Sequence, residues 1–206
     1  EYQTALGGAL NDVAAVFAER GEHVARRQCV ERAIAAQRRA LELDPKSTVA
    51  RKFLCNHLHN LASALLDSEA PANELDEANR QAITAARQWL QDMPDDPQRQ
   101  HVLGVCLRTQ ALTLHRRNDL AAARESGAEA VKQLNNAYQA DPHGEAYVIE
   151  LAKARLFVAE LLERLQSPDA EAAFRDWMLV ARQWAELAAD PIPWEGKSAS
   201  RRASAA

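Results

Sequence analysis

Apolar residues recur along this chain at the three- and four-residue spacings of a helix face, not in the alternation of a strand. The rows are plain in Leu58, Leu61 and Leu65, and again in Leu151, Phe157, Leu161 and Leu162. Side chains at these separations lie on one side of an α-helix. Polar breaks punctuate the rows at Arg20-Gly21-Glu22, from Asp67 to Asn73, at Arg117-Asn118-Asp119, and from Gln166 to Asp169. Between them fall four further stops of one kind, Asp44-Pro45, Asp96-Pro97, Asp141-Pro142 and Asp190-Pro191. The residue before proline is driven out of the α region, and aspartate can cap a helix whose first turn holds proline, so each Asp-Pro predicts a stop and a restart. Eight helices follow, over 3–19, 23–42, 47–66, 74–92, 97–116, 119–138, 144–165 and 169–188. Asn73, Asn118 and Ser167 are the expected N-caps of three of them, with Pro168 as a first helical residue.

The prolines Pro45, Pro97, Pro142 and Pro191 are spaced by 52, 45 and 49 residues, a period typical of stacked repeats. Columns counted back from them agree. Twelve residues upstream stand Ala33, Ala85, Ala130 and Leu179, one later come Ile34, Ala86, Val131 and Val180, and four before the proline come Leu41, Met93, Tyr138 and Leu187. Each repeat therefore predicts a pair of antiparallel helices, with repeats at 1–45, 46–97, 98–142 and 143–191, followed by a tail over 192–206 without an apolar period.

Composition narrows the class to all-α. Alanine fills about a fifth of the positions, aromatics only 5%, and glycine and proline together 15 of 206 residues. A sandwich or barrel would need more turn formers and more β-branched and aromatic residues. The net charge of −4 gives no overall attraction to nucleic acid or to an anionic membrane, and no run of 18 apolar residues predicts a membrane span. Cys29, Cys55 and Cys106 are odd in number and fall in helical rows, where they read as small core residues in a reducing compartment. A cytoplasmic location is expected, the alternative being an extracytoplasmic domain of a membrane-linked protein.

Residues shared between repeats give the pattern a family likeness. Leu6-Gly7 and Leu103-Gly104 both stand 39 and 38 residues before their prolines, Ala123 supplies a small residue in a second helix, and a repeat ends in Ala40-Leu41-Glu42-Leu43-Asp44-Pro45. These features resemble the tetratricopeptide repeat family, whose usual repeat is 34 residues. Here seven extra residues separate Leu103-Gly104 from Ala123, and seven more separate Ala123 from Pro142, about two turns in each helix. The long form is similar to tetratricopeptide-like arrays beside signalling domains of large bacterial proteins, including serine/threonine kinases. The resemblance implies an α-solenoid of four pairs, a right-handed superhelix whose first helices line a concave groove. The implied function is a non-catalytic scaffold that binds a peptide or partner helix there. The alternative is a regulatory region that binds a small ligand or self-associates to control a linked catalytic domain.

On the expected inner faces stand Asn11, Lys52, Asn56, His59, Asn60, His101, Arg108 and Lys153, a neutral-to-basic set suited to an acidic or carboxylate-bearing peptide. Lys52 and Asn56, one turn apart, resemble a pair that clamps a peptide C-terminus in some family members. The matching places in the later repeats, His101-Val102 and Ile149-Glu150 with Lys153, depart from the rest of such a clamp. Cys55 and His59 share the four-residue spacing of metal ligands on a helix, but two ligands make no zinc site and no metal or other cofactor is expected. The chain has no Gly-x-Ser-x-Gly elbow, phosphate-cradling loop or His-Glu-x-x-His helix, so no enzyme is expected. Trp89, Trp177 and Trp184 read as core, Trp194 as a cover for the last pair, and Arg201-Arg202-Ala203-Ser204 resembles a kinase site with Ser204 as acceptor.

Overall fold

The computed structural model describes residues 1–189; Pro191, Trp194, Ser204 and the whole 192–206 segment lie outside them. The described residues form eight helices, α1 (Tyr2–Glu19), α2 (His23–Leu43), α3 (Thr48–Asp67), α4 (Ala72–Gln91), α5 (Pro97–Arg116), α6 (Leu120–Ala140), α7 (Glu145–Arg164) and α8 (Ala170–Ala189). Every bound agrees with the sequence reading to within two residues. Among the described residues there is no strand, and no described helix is long and apolar enough to cross a membrane.

The caps differ from expectation. Asp96 does cap α5, its carboxylate accepting from the Arg99 N–H at 3.0 Å with Pro97 in the first turn. Asp44 and Asp141 instead close α2 and α6 from behind. Two or three loop residues follow each of them, and α3 is capped by Ser47 while α7 starts after Gly144. Asn73 lies inside α4, Asp119 rather than Asn118 caps α6, and Ser167 and Pro168 precede α8 without entering it.

The four turns that join odd to even helices share one backbone device. Gly21, Glu69, Asn118 and Gln166 each adopt a positive φ one residue after the cap. In each, the next N–H reaches back to close the turn, Glu22 to Phe17, Ala70 to Leu65, Asp119 to Leu114 and Ser167 to Leu162. This is the Schellman ending, which favours glycine because a Cβ crowds the left-handed region. Glu69 has φ 54°, so Glu69→Gly is expected to raise the unfolding free energy by about 0.5–1 kcal/mol, read as a higher urea midpoint with unchanged slope.

Each pair packs antiparallel. A Cβ on Gly7 would sit 2.2 Å from Gln37 Nε2 and one on Gly104 would sit 2.5 Å from Leu134 Cγ, so the shared glycine column marks where an odd helix meets its own even partner most closely. Successive helices touch along the whole chain, and the odd helices also touch one another, α1 with α3, α3 with α5 and α5 with α7. The even helices stand further apart and are bridged by long side chains. Arg27 of α2 meets Glu74 of α4 at 2.7 Å, Arg87 of α4 meets Glu129 of α6 at 2.9 Å, and Tyr138 of α6 hydrogen-bonds Gln183 of α8.

The core runs between the layers. One cluster joins Val30, Ile34, Leu58, Ile83, Trp89, Leu103 and Leu107, and another joins Leu134, Val148, Leu151 and Val180. Cys55 and Cys106 are buried and Cys29 half-buried, all as free thiols. Trp89 is core as expected and also stacks under the buried Arg99 guanidinium, which donates to the Trp89 carbonyl at 2.7 Å. Trp177 is half-buried against the core, but Trp184, 40% exposed on the last described helix, is not part of it.

Candidate functional site

The odd helices turn one polar face to a common cleft of about 860 Å³. Lys52, Asn56, His59 and Asn60 come from α3, His101 and Arg108 from α5, and Lys153 from α7, with Asn11 of α1 at one end. All the expected inner-face residues thus line one space. They meet because each recurs at three- or four-residue steps on its own helix, opposite the row that the same helix buries.

The charge of the cleft is balanced, at the neutral end of the neutral-to-basic expectation. Asp141, Glu145 and Glu150 also line it, since the loop before α7 and the first turns of that helix fold over one wall. They set three carboxylates against the three cations. Glu150 sits between two of these, 3.0 Å from Arg108 Nη2 and 2.7 Å from Lys153 Nζ. Burial would raise its pKa, but Arg108 and the Lys153 hydrogen bond outweigh that and hold the carboxyl below its usual range. Lys52 has no carboxylate within 4.0 Å among the described residues, so its charge stays available to a ligand.

The histidines are neutral members of this wall. His59 accepts from or donates to Thr109 Oγ1 at 3.2 Å. Removal from water, aided by Arg108, pushes its pKa down to about 4. His101 lies against the Tyr147 ring at 5.1 Å, and burial lowers its pKa as well. Asn60 donates to Asn11 at 2.7 Å, which leaves Lys52 and Asn56 as the pair on α3 whose polar heads are not engaged by one another's neighbours. The cleft can therefore offer amide, imidazole and ammonium groups to a polar chain. Its central carboxylate, Glu150, is held ionised between two cations.

Tyr147, Gln98, Asp141 and Glu145 were not among the site residues of the sequence reading, and Ile149 and Glu150 entered it only as departures from a peptide clamp. Tyr147 and Glu150 lie one turn apart, and continuing the α7 row back from Lys153 reaches both. Cys55 of the weighed Cys55–His59 pair is buried in the core, where burial raises its thiol to about 12, while His59 faces the cleft. The four-residue spacing therefore joins two different faces. Among the described residues no three His, Cys, Asp or Glu side chains gather as metal ligands would.

No protein-family model matches this chain, and no curated protein matches it.

Proposed function

We propose that the chain is a tetratricopeptide-like α-solenoid, a right-handed superhelix of four helix pairs, whose cleft binds an extended peptide or partner helix without catalysing a reaction. The observation that carries this reading is the gathering of Lys52, Asn56, His59, Asn60, His101, Arg108 and Lys153 on one wall-to-wall cleft formed by four successive odd helices. Tight odd-side contacts opposite a bridged, open even side support a stack that curves around that cleft. The partner is a protein, and the setting a module of a larger cytoplasmic signalling protein.

Free Lys52 beside Asn56 suits a peptide carboxylate, because an ammonium–carboxylate hydrogen bond is about twice as strong as a neutral one. Anisotropy titrations against a pool of fluorescent acidic peptides with free C-termini test this. Lys52→Ala and Asn56→Ala are each expected to weaken binding by about tenfold, from the loss of roughly 1.4 kcal/mol, and C-terminal amidation to weaken it similarly. Unchanged affinity in both variants moves the site elsewhere. The size of the cleft also favours a second reading, since small-molecule pockets span roughly 300–1,000 Å³: a ligand sensor for a linked catalytic domain. A metabolite thermal-shift screen in which one compound stabilises the wild type but not Asn56→Ala supports that reading instead.

A further inference from the structure

The charges that line the cleft are spread unevenly over it. The buried alanines Ala62, Ala111 and Ala159 hold the same place in α3, α5 and α7, and ten residues before each stand Lys52, His101 and Ile149, which therefore share a second level. Lys52 on α3 has no carboxylate beside it among the described residues, and at the centre Arg108 and Lys153 share the single carboxylate of Glu150. That part of the cleft is positive. Across from Lys52, where α7 begins, stand Asp141 and Glu145. Among the described residues neither has a lysine, arginine or histidine nitrogen within 4.0 Å.

The negative end also carries an aromatic ring. A Cβ on Gly144 would sit 2.8 Å from Asp141 Oδ2 and 2.9 Å from Tyr147 Cδ2, so the carboxylate and the ring edge flank one bare glycine and stand side by side. The Tyr147 phenol is pushed up by burial and then by the Asp141 and Asp96 carboxylates, which shows whose field the ring lies in. His101, 5.1 Å from that ring, is held neutral by burial and adds no charge against a cation. An aromatic face attracts an ammonium or guanidinium group, the more so where water is partly excluded, and Tyr147 is half-buried.

We propose that the peptide held in this cleft is bipolar: its terminal carboxylate lies on Lys52, and a lysine or arginine about five residues earlier lies between Asp141, Glu145 and the Tyr147 ring. This rests on the cleft being a peptide site, and it adds the course of the bound chain and the identity of a second side chain. Odd helices in contact at 8–10 Å between axes put Lys52 roughly 16–20 Å from α7. Glu145 stands a further turn, about 6 Å, toward the start of that helix. An extended chain rises about 3.3 Å per residue, so about five residues and one long basic side chain cover the crossing. The segment therefore runs across the odd helices, not along any one of them.

Repulsion selects the same ligand as attraction does, which is how a charged groove discriminates. A uniformly acidic segment meets Asp141 and Glu145 at the α7 end with no cation to screen them. A uniformly basic one meets Lys52 at the other end. Between the two, Arg108, Glu150 and Lys153 are bonded among themselves and leave one excess positive charge, which disfavours a second basic residue in the middle of the segment. The basic side chain is thereby confined to the place that lies over the start of α7.

Positional-scanning libraries of fluorescent decapeptides with free C-terminal carboxylates, each library fixing one position, are titrated against the full chain by anisotropy. Lysine or arginine fixed about four to six residues before the C-terminus is expected to bind most tightly. Norleucine in its place in the best single peptide weakens binding about fivefold. Glu145→Lys is expected to turn the preference at that position toward glutamate, and Glu145→Gln to flatten it, both with wild-type helicity because Glu145 is exposed. Lys52→Ala weakens every library alike and keeps the basic preference. Equal binding of all residues at that position, an acidic preference there, or a basic preference that Glu145→Lys leaves unchanged overturns the proposal; a loss on Lys52→Ala in the same titrations still upholds the peptide site. Absence of binding by every library overturns both.

Discussion

Leu134→Ala is expected to lower the unfolding free energy by about 2–5 kcal/mol, and Gly104→Ala is expected to change sign between the two backgrounds. Leu134 is fully buried and its side chain fills the space above Gly104. In the wild type a Cβ on residue 104 would come 2.5 Å from Leu134 Cγ and 2.8 Å from Cδ2, well inside van der Waals contact. The cost of such overpacking, about 1–3 kcal/mol, exceeds the gain of roughly 1 kcal/mol from replacing glycine by alanine in a helix. With Leu134 truncated, both close carbons are gone, and the remaining contact, 3.2 Å to the Leu134 backbone nitrogen, needs a shift of a few tenths of an ångström. The added methyl then fills part of the cavity and Gly104→Ala stabilises. Urea midpoints of the four proteins in this cycle measure the coupling, and additive free energies would sink the account of that column.

Lowering the pH from 7 to 5 is expected to cost roughly 4 kcal/mol of stability from two histidines together. His57 and His59 ordinarily titrate near 6.5 and are pushed down to about 4 in the fold, chiefly by burial. Both are neutral when folded and charge more readily when unfolded. Stability is therefore complete above 6.5, falls as the unfolded chain takes up protons, and levels off below about 4. At pH 5 each contributes about 2 kcal/mol of that loss. His57 is the cleaner probe, since it is buried, stacks on Phe53, and neither ring nitrogen has a partner. His57→Leu is expected to remove about half of the difference between urea-derived stabilities at pH 7 and pH 5, and an unchanged pH dependence would show that His57 does not titrate this way.

The helices, their pairing and their period were legible because they rest on local signals. Apolar rows of three and four set the faces, and Pro45, Pro97 and Pro142 mark the breaks wherever the chain needs a non-helical φ, ψ pair before a restart. The roles of the aspartates were less legible. Asp44, Asp96 and Asp141 look alike in sequence, yet the number of loop residues after each decides whether it closes one helix or opens the next. The left-handed positions were hidden for a related reason. Only Gly21 and Asn118 advertise such a turn, whereas Glu69 and Gln166 accept it because the helices on either side hold the backbone there. In the cleft, Lys52, Asn56, His59 and Asn60 could be grouped from one helix row, and Arg108 and Lys153 placed from the repeat. The pairing of Arg108 with Glu150 depends on how far α7 is offset from α5, which no single-helix pattern contains.

The unequal joints between odd and even helices make the molecule compliant in one direction. Side chains packed between α1, α3, α5 and α7 resist shear as a close-packed interior does. The joints between α2, α4 and α6 are solvated pairs such as Arg27–Glu74 and Arg87–Glu129, each of which exchanges for water at a cost of about 0–1 kcal/mol. Bending is therefore expected to follow a line along the odd side, with the even side opening. Added salt, by screening those outer pairs, is expected to ease that bending without touching the contacts along the odd side.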